Sequence, residues 1–132
     1  MEKLSVTTSR REEMVNLTAE VQRLASGKGW ADGLLYLWCP HTTAALTVNE
    51  AADPDVVRDM VANLGRLVPP RGDYRHAEGN SDAHIKSSLM GPGLTLIVAG
   101  GRVQLGTWQG VFFCEWDGPR SRQVWAAFLS EK

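Results

Sequence analysis

The residues most able to do chemistry in this chain are its three histidines. His41 follows an apolar run and Pro40, and precedes Thr42-Thr43. His76 lies in the polar stretch Asp73-Tyr74-Arg75-His76-Ala77-Glu78-Gly79-Asn80. His84 lies in Asp82-Ala83-His84-Ile85-Lys86-Ser87-Ser88, within the first two turns of a short predicted helix. An imidazole can ligate a metal, act as general acid or base, or contact phosphate. If the polar stretch folds over the open end of a sheet, the three rings can meet. With no other ligand, the fourth position stays open, as in catalytic zinc sites. A lone histidine is more often a surface or hydrogen-bonded structural residue. Glu50 ends an apolar strand one strand-length after His41, which suits it to orient an imidazole or bind a cation. Asp53, Asp55 and Asp59 read first as helix-start and dipole partners.

Two further groups concern a ligand. In Gly106-Thr107-Trp108-Gln109-Gly110 the flanking glycines let backbone come close to something. Thr107 and Gln109 can then serve as hydrogen-bond donors on a pocket wall, or the stretch is a bulge with Trp108 in an interface. Asp117-Gly118-Pro119-Arg120-Ser121-Arg122 is a tight turn followed by two arginines that can fork onto phosphate or carboxylate. Lys86, Ser87 and Ser88 could complete an anion pocket. GxxxxGK[ST], GxGxxG, GxSxG and CxxC patterns are absent, so the common nucleotide, dinucleotide, hydrolase and zinc-finger readings drop out.

Positioning these residues falls to short elements. Leu4–Ser9 and Met14–Leu17 read as strands. Thr18 is the expected N-cap of a helix carrying Val21 and Leu24, stopped by Gly27 and Gly29. Gly33–Cys39 reads as a buried strand and Thr42–Val48 as a β-branched one. Asp53-Pro54 starts the best helix, Pro54–Leu67, with Val56, Val57, Met60, Val61 and Leu64 at helical spacing. Pro69–Ser81 is a long polar loop, a class that is usually functional or mobile. Ser81 or Asp82 is expected to cap a helix ending near Met90, before Gly91-Pro92. Strands follow at Leu94–Val98, Val103–Leu105, Val111–Trp116 and Gln123–Leu129. Val124, Ala126 and Phe128 oppose Trp125 and Ala127, so the last strand reads as apolar on both faces and hints at self-association. Seven or eight strands and three helices predict an α+β domain with a curled or barrel-like mixed sheet and helices packed on it.

The chain has 132 residues, 43% hydrophobic and 22% charged, with a formal net charge of -1. That is ordinary globular usage for a single domain over 1–132. A broad nucleic-acid face needs a basic surplus that is missing here. Cys39 and Cys114 are too few for a disulfide scaffold and read as reduced, cytoplasmic thiols. Met1–Ser9 has no signal-length apolar core, and no apolar run approaches the roughly 20 residues that span a bilayer.

The strings Pro40-His41-Thr42-Thr43-Ala44, Asn49-Glu50, His76-Ala77-Glu78-Gly79, Ala83-His84-Ile85-Lys86-Ser87-Ser88-Leu89-Met90-Gly91, Gly106-Thr107-Trp108-Gln109 and Glu115-Trp116-Asp117-Gly118-Pro119-Arg120 occur in this order. With them the chain resembles the YjbQ family, also called the secondary thiamine-phosphate synthase family, over nearly its whole length. The resemblance implies an α+β fold with a barrel-like mixed sheet and a homotrimer with sites near subunit junctions. It also implies a low thiamine-phosphate synthase activity, joining hydroxymethylpyrimidine diphosphate to thiazole phosphate with release of pyrophosphate. Carried over by position, His41, His76 and His84 form the site centre with Glu50 beside it, and Lys86, Gln109 and Arg120 serve the anionic substrate. The expected ions are Mg²⁺ for the diphosphate and Zn²⁺ or a similar metal at the histidines. A binding protein for a metal or phosphorylated small molecule, with incidental activity, is the alternative.

Overall fold

The computed structural model describes residues 1–132. In chain order the elements are β1 (Glu2–Thr7), β2 (Glu13–Asn16), α1 (Thr18–Gly27), β3 (Gly33–Trp38), β4 (Ala44–Glu50), α2 (Pro54–Leu67), α3 (Ser81–Met90), β5 (Gly93–Ala99), β6 (Arg102–Val103), β7 (Gln109–Glu115) and β8 (Ser121–Ser130). The strands form a five-stranded sheet, β1-β8-β3-β5-β6, and a three-stranded sheet, β2-β7-β4, with every pairing antiparallel. Together they make the expected α+β architecture, a curled half-barrel backed by a second sheet, antiparallel throughout where a mixed sheet is expected.

The main core lies between the two sheets. Leu35 and Leu37 of β3, Leu96 and Val98 of β5, and Val124 and Ala126 of β8 face inward from the larger sheet. Leu46, Val111 and Phe113 meet them from the smaller one, and Val21 and Ala25 of α1 join the same cluster. A second cluster, Ala45, Phe112, Cys114 and Trp116, covers the other face of the smaller sheet under Val57, Val61 and Leu64 of α2 and Ala83 of α3. Strand β7 is therefore buried on both sides.

The last strand is apolar on both faces, as its sequence predicts, but its own chain covers one of them: Val124 and Ala126 are buried, while Ala127 and Leu129 on the opposite face are exposed. The contrast with β7 is one of position. Strand β7 is the centre of a sheet sandwiched between the larger sheet and two helices, whereas β8 has nothing of its own chain over its outer face.

The helix starts also shift. Thr18 does not cap α1; Leu17 is the N-cap residue, and Asn16 Oδ1 accepts from the Thr18 N–H and hydroxyl instead. Thr18 Oγ1 in turn accepts from Val111 N–H, tying the helix to β7. The N-cap residue of α3 is Asn80, not Ser81 or Asp82. Helix α2 starts as expected, with the Asp53 side chain accepting from Asp55 N–H and Pro54 in the first turn.

Candidate functional site

Three elements bring the histidine-rich sequence together at one end of the smaller sheet. The first turns of α3 carry His84, the polar loop before it carries His76, and the turn after β7 carries Asp117 and Arg120. The rings of His76 and His84 lie 5.4 Å apart at a right angle. His76 Nε2 is 3.7 Å from a carboxylate oxygen of Glu78. Asn80, at the start of α3, donates from its side-chain amide to Asp117 Oδ2 at 2.8 Å. Arg120 grips the same residue, donating through Nε to the Asp117 carbonyl at 2.7 Å and through a terminal nitrogen to its carboxylate at 3.0 Å. Arg120 is thus one residue removed from the N-cap of the helix that holds His84, and its side chain remains half exposed. The His76–His84 pair thus lies at the start of α3, and Arg120 reaches that helix's N-cap through Asp117, whose carboxylate it pairs with.

Behind this surface sit two buried charge networks. Asp82 is fully buried and accepts a forked pair of hydrogen bonds from Arg11 at 3.0 and 3.2 Å. Lys86, 1% exposed, lies 3.4 Å from Asp82, bonds to Glu12, and stands 4.8 Å over the ring of Trp116. Burial raises the Asp82 carboxyl, but Arg11 and Lys86 outweigh it and hold it below its ordinary value. In the second network Arg122 forks onto Glu115 at 2.8 and 2.5 Å and reaches Thr43 Oγ1, while Thr8 donates to Glu115. Burial again pushes Glu115 up, and the Arg122, Thr8 and Asp117 hydrogen bonds override it.

These networks correct the expected anion pocket. Lys86 is no free cation beside a ligand, because both of its acidic partners and an aromatic face consume it inside the protein. Arg122 is likewise locked to Glu115. Of the two arginines after the turn, Arg120 alone keeps an exposed guanidinium.

His41 lies at the same end of the sheet, just before β4, but in a different setting. Its Nε2 accepts from Gln123 N–H at 3.0 Å, and its ring meets Phe113 edge-on at 6.4 Å. A main-chain N–H donates only to an unprotonated nitrogen, so the ring is neutral with its proton on Nδ1. Burial, helped by the charge of Arg122, holds its pKa below the usual imidazole value.

Glu50, Thr107 and Gln109 sit at the opposite end. Glu50 pairs with Gln109 in the β4–β7 register, six residues from the Ala44–Glu115 pair, which is roughly 20 Å of strand. Glu50 does not orient His41: its carboxylate turns back to accept from Asp53 N–H at 3.2 Å. Gln109 Oε1 accepts from Gly106 N–H at 2.8 Å, closing the glycine-flanked turn on itself. Glu50 also lines a cleft of about 870 Å³ between α2 and β2, with Met14, Val57, Val61 and Phe112 among its apolar residues and Arg58 among its charged ones. None of the histidines lines that cleft. The histidines and this cleft are therefore separate.

A zinc ion needs three or four protein donors. His76 and His84 supply two, His41 has its Nε2 engaged elsewhere, and no group of three or more His, Cys, Asp or Glu side chains is arranged to hold a metal. The donors of one chain do not fit a resident zinc.

Sequence reasoning does not single out Arg11, Glu12 or Asn80 as site residues. The signal available for the helix is its composition. The buried positions of α3 are Asp82, Ala83, Lys86 and Ser87, a face whose charges demand partners from elsewhere.

With this geometry in hand, the family model described as UPF0047 protein YjbQ-like matches residues 2–131. The chain belongs to the YjbQ family. It is 46% identical to the UPF0047 protein YugU of Bacillus subtilis over 96% of each sequence. It is 45% identical to a UPF0047 protein of Methanocaldococcus jannaschii, covering 98% of this chain and 94% of that one. Among solved structures, a YjbQ/UPF0047 protein of Clostridium acetobutylicum superposes with a TM-score of 0.95 at 46% identity, over 98% of this chain and all of that one. A conserved hypothetical protein of Thermus thermophilus gives 0.91 at 48% identity, again over 98% of this chain and all of that one. The YjbQ fold is therefore shared from β1 to β8.

Proposed function

We propose that this YjbQ-family chain binds a phosphorylated small molecule at the α3 end of the smaller sheet and has a low thiamine-phosphate synthase activity there. The observation that carries the binding reading is the perpendicular His76–His84 pair beside a ten-residue helix whose N-cap is linked through Asp117 to Arg120. The reaction is the one the family resemblance implies. The thiazole nitrogen attacks the methylene carbon of hydroxymethylpyrimidine diphosphate; the new C–N bond forms as the C–O bond breaks, and pyrophosphate leaves with the bonding electrons. Negative charge grows on the leaving diphosphate, so cationic and N–H groups fixed in advance lower the barrier. In this reading Arg120, His76 and His84 face the phosphates. His41, neutral with Nδ1–H, donates a hydrogen bond without taking a proton. Mg²⁺ would accompany the diphosphate as part of the substrate.

The exposed outer face of the larger sheet supports self-association; the homotrimer is the assembly that the family resemblance implies, with the cytoplasm as the expected compartment. Tyr36, Trp38, Ile97 and Leu129 are between 43% and 60% exposed on it. No helix is long and apolar enough to cross a membrane.

The test is purified protein with both phosphorylated substrates, followed by thiamine-phosphate formation. The expected result is slow turnover that falls at least 10-fold in His84→Ala and in His41→Ala. Equal turnover in both variants removes these residues from the reaction. Tight binding of a phosphorylated ligand without turnover leaves the alternative, a binding protein.

A further inference from the structure

Helix α3 presents His84, yet its fully buried face is mostly polar. Of its four buried residues only Ala83 is apolar; Asp82, Lys86 and Ser87 are not. Apolar burial is non-directional, whereas a forked guanidinium–carboxylate pair sets both distance and angle. The fork here comes from Arg11, in the turn between β1 and β2. The same residue makes a second contact: its carbonyl oxygen accepts from Gly118 N–H at 3.0 Å. Gly118 begins the Gly-Pro-Arg run that ends in Arg120. The fit there is close. A Cβ on Gly118 would run into the Arg10 carbonyl oxygen and stand 2.8 Å from both Thr8 Oγ1 and Glu115 Cγ. Asn80 and Arg120 then close a ring of contacts through Asp117. The ring runs from Arg11 to Asp82, along the first turn of α3 to Asn80, across to Asp117, and back through Gly118 to Arg11.

We propose that Arg11 is a positioning residue of this site, fixing through its guanidinium the helix that carries His84 and through its carbonyl the turn that carries Arg120. The inference rests on the phosphate-binding reading above and deepens it. Arg11 need not touch the ligand. It sets the spacing between the imidazoles and Arg120, and so the size of anion the site accepts.

The experiment uses the full chain, inorganic phosphate as probe, and three variants: Arg11→Lys, Arg11→Met, and Arg11→Met combined with Asp82→Leu. Affinity is read by calorimetry, and the His76–His84 arrangement by ring-to-ring NMR cross-peaks, which do not require a ligand. The double variant removes the carboxylate that Arg11→Met would leave buried without its main partner. The expected result is that the double variant regains thermal stability lost in Arg11→Met, while phosphate affinity stays at least 10-fold weaker than in the parent and the cross-peaks fade. Arg11→Lys keeps the charge without the fork and falls between. Recovery of affinity together with stability in the double variant would reduce Arg11 to a fold-holding residue and overturn the proposal. If the parent binds no phosphate, the ligand reading fails by itself. The cross-peaks then decide for Arg11, and their full retention in the double variant overturns its positioning role.

Discussion

At the scale of single residues, the chain solves one problem twice: how to keep a carboxylate charged inside a protein. Glu115 and Asp82 are both fully buried, and each meets a forked guanidinium. Removing one partner of such a pair leaves an uncompensated charge, at a cost of about 3–5 kcal/mol. Arg122→Met is therefore expected to lower stability by that order in a denaturant melt, and Arg122→Met with Glu115→Leu to recover much of it. The pH dependence follows from the same groups. Both carboxyls are depressed in the folded state. Their stabilisation is full above the ordinary carboxyl range and is lost as pH falls through the lower folded values. His41 acts at higher pH. Its folded pKa lies below 6.5, so the unfolded chain takes up that proton first. Stability therefore begins to fall as pH drops below about 6.5, before the carboxyls contribute. Thermal melts from pH 8 to pH 3 should show two stages of loss, and His41→Asn should remove the upper one. The thiols are inert by the same physics. Burial pushes Cys114 up to about 12, so alkylating reagents at pH 8 should leave it unmodified until the protein unfolds.

At the scale of elements, some starts and faces are readable from sequence and others are not. Asp53-Pro54 announces α2 because both signals act locally: the side chain caps and the proline presets φ. Thr18 carries the same kind of signal and misleads, because its hydroxyl is spent on β7, a strand more than ninety residues away. The side chain that does the capping work is Asn16, and Asn16→Ala should cost about 1 kcal/mol by thermal melt. Periodicity finds the strands, since Leu35 and Leu37 alternate with Tyr36 and Trp38 across β3. It cannot find which strand has two buried faces, because β7 and β8 are comparably apolar and only their places in the sheets differ. The same limit governs the site. His76 and His84 lie eight residues apart, and their pairing follows from one loop entering one helix. The partners of Lys86 and Glu50, namely Glu12 and the backbone of Asp53, escape a sequence reading because they depend on tertiary placement and cap geometry. Gly110 illustrates such long-range control. A Cβ there would stand 2.6 Å from Ala51 Cβ and 2.9 Å from Thr18 Oγ1, so Gly110→Ala should destabilise by roughly 1–3 kcal/mol.

At the scale of the whole molecule, two surfaces stand out beyond the core. The outer face of the larger sheet aligns Trp38 with Trp125 and Tyr36 with Ala127 in adjacent strands, and leaves Trp38 half exposed. Trp38→Glu should shift the assembly toward smaller species in light scattering if this face joins subunits. The other surface is the α3 end, where His76 meets His84 and Arg120 is tied through Asp117 to the helix N-cap, while Glu50, Thr107 and Gln109 stand a strand-length away. The most direct measurement on that division is a backbone and histidine-ring NMR titration of the unmodified protein with inorganic phosphate. The expected result is saturable movement of the His76 and His84 rings and of the first amides of α3, with the Glu50 and Gln109 amides still. Movement centred on Glu50 and Gln109, with the two rings unmoved, would overturn the α3 end as the binding site.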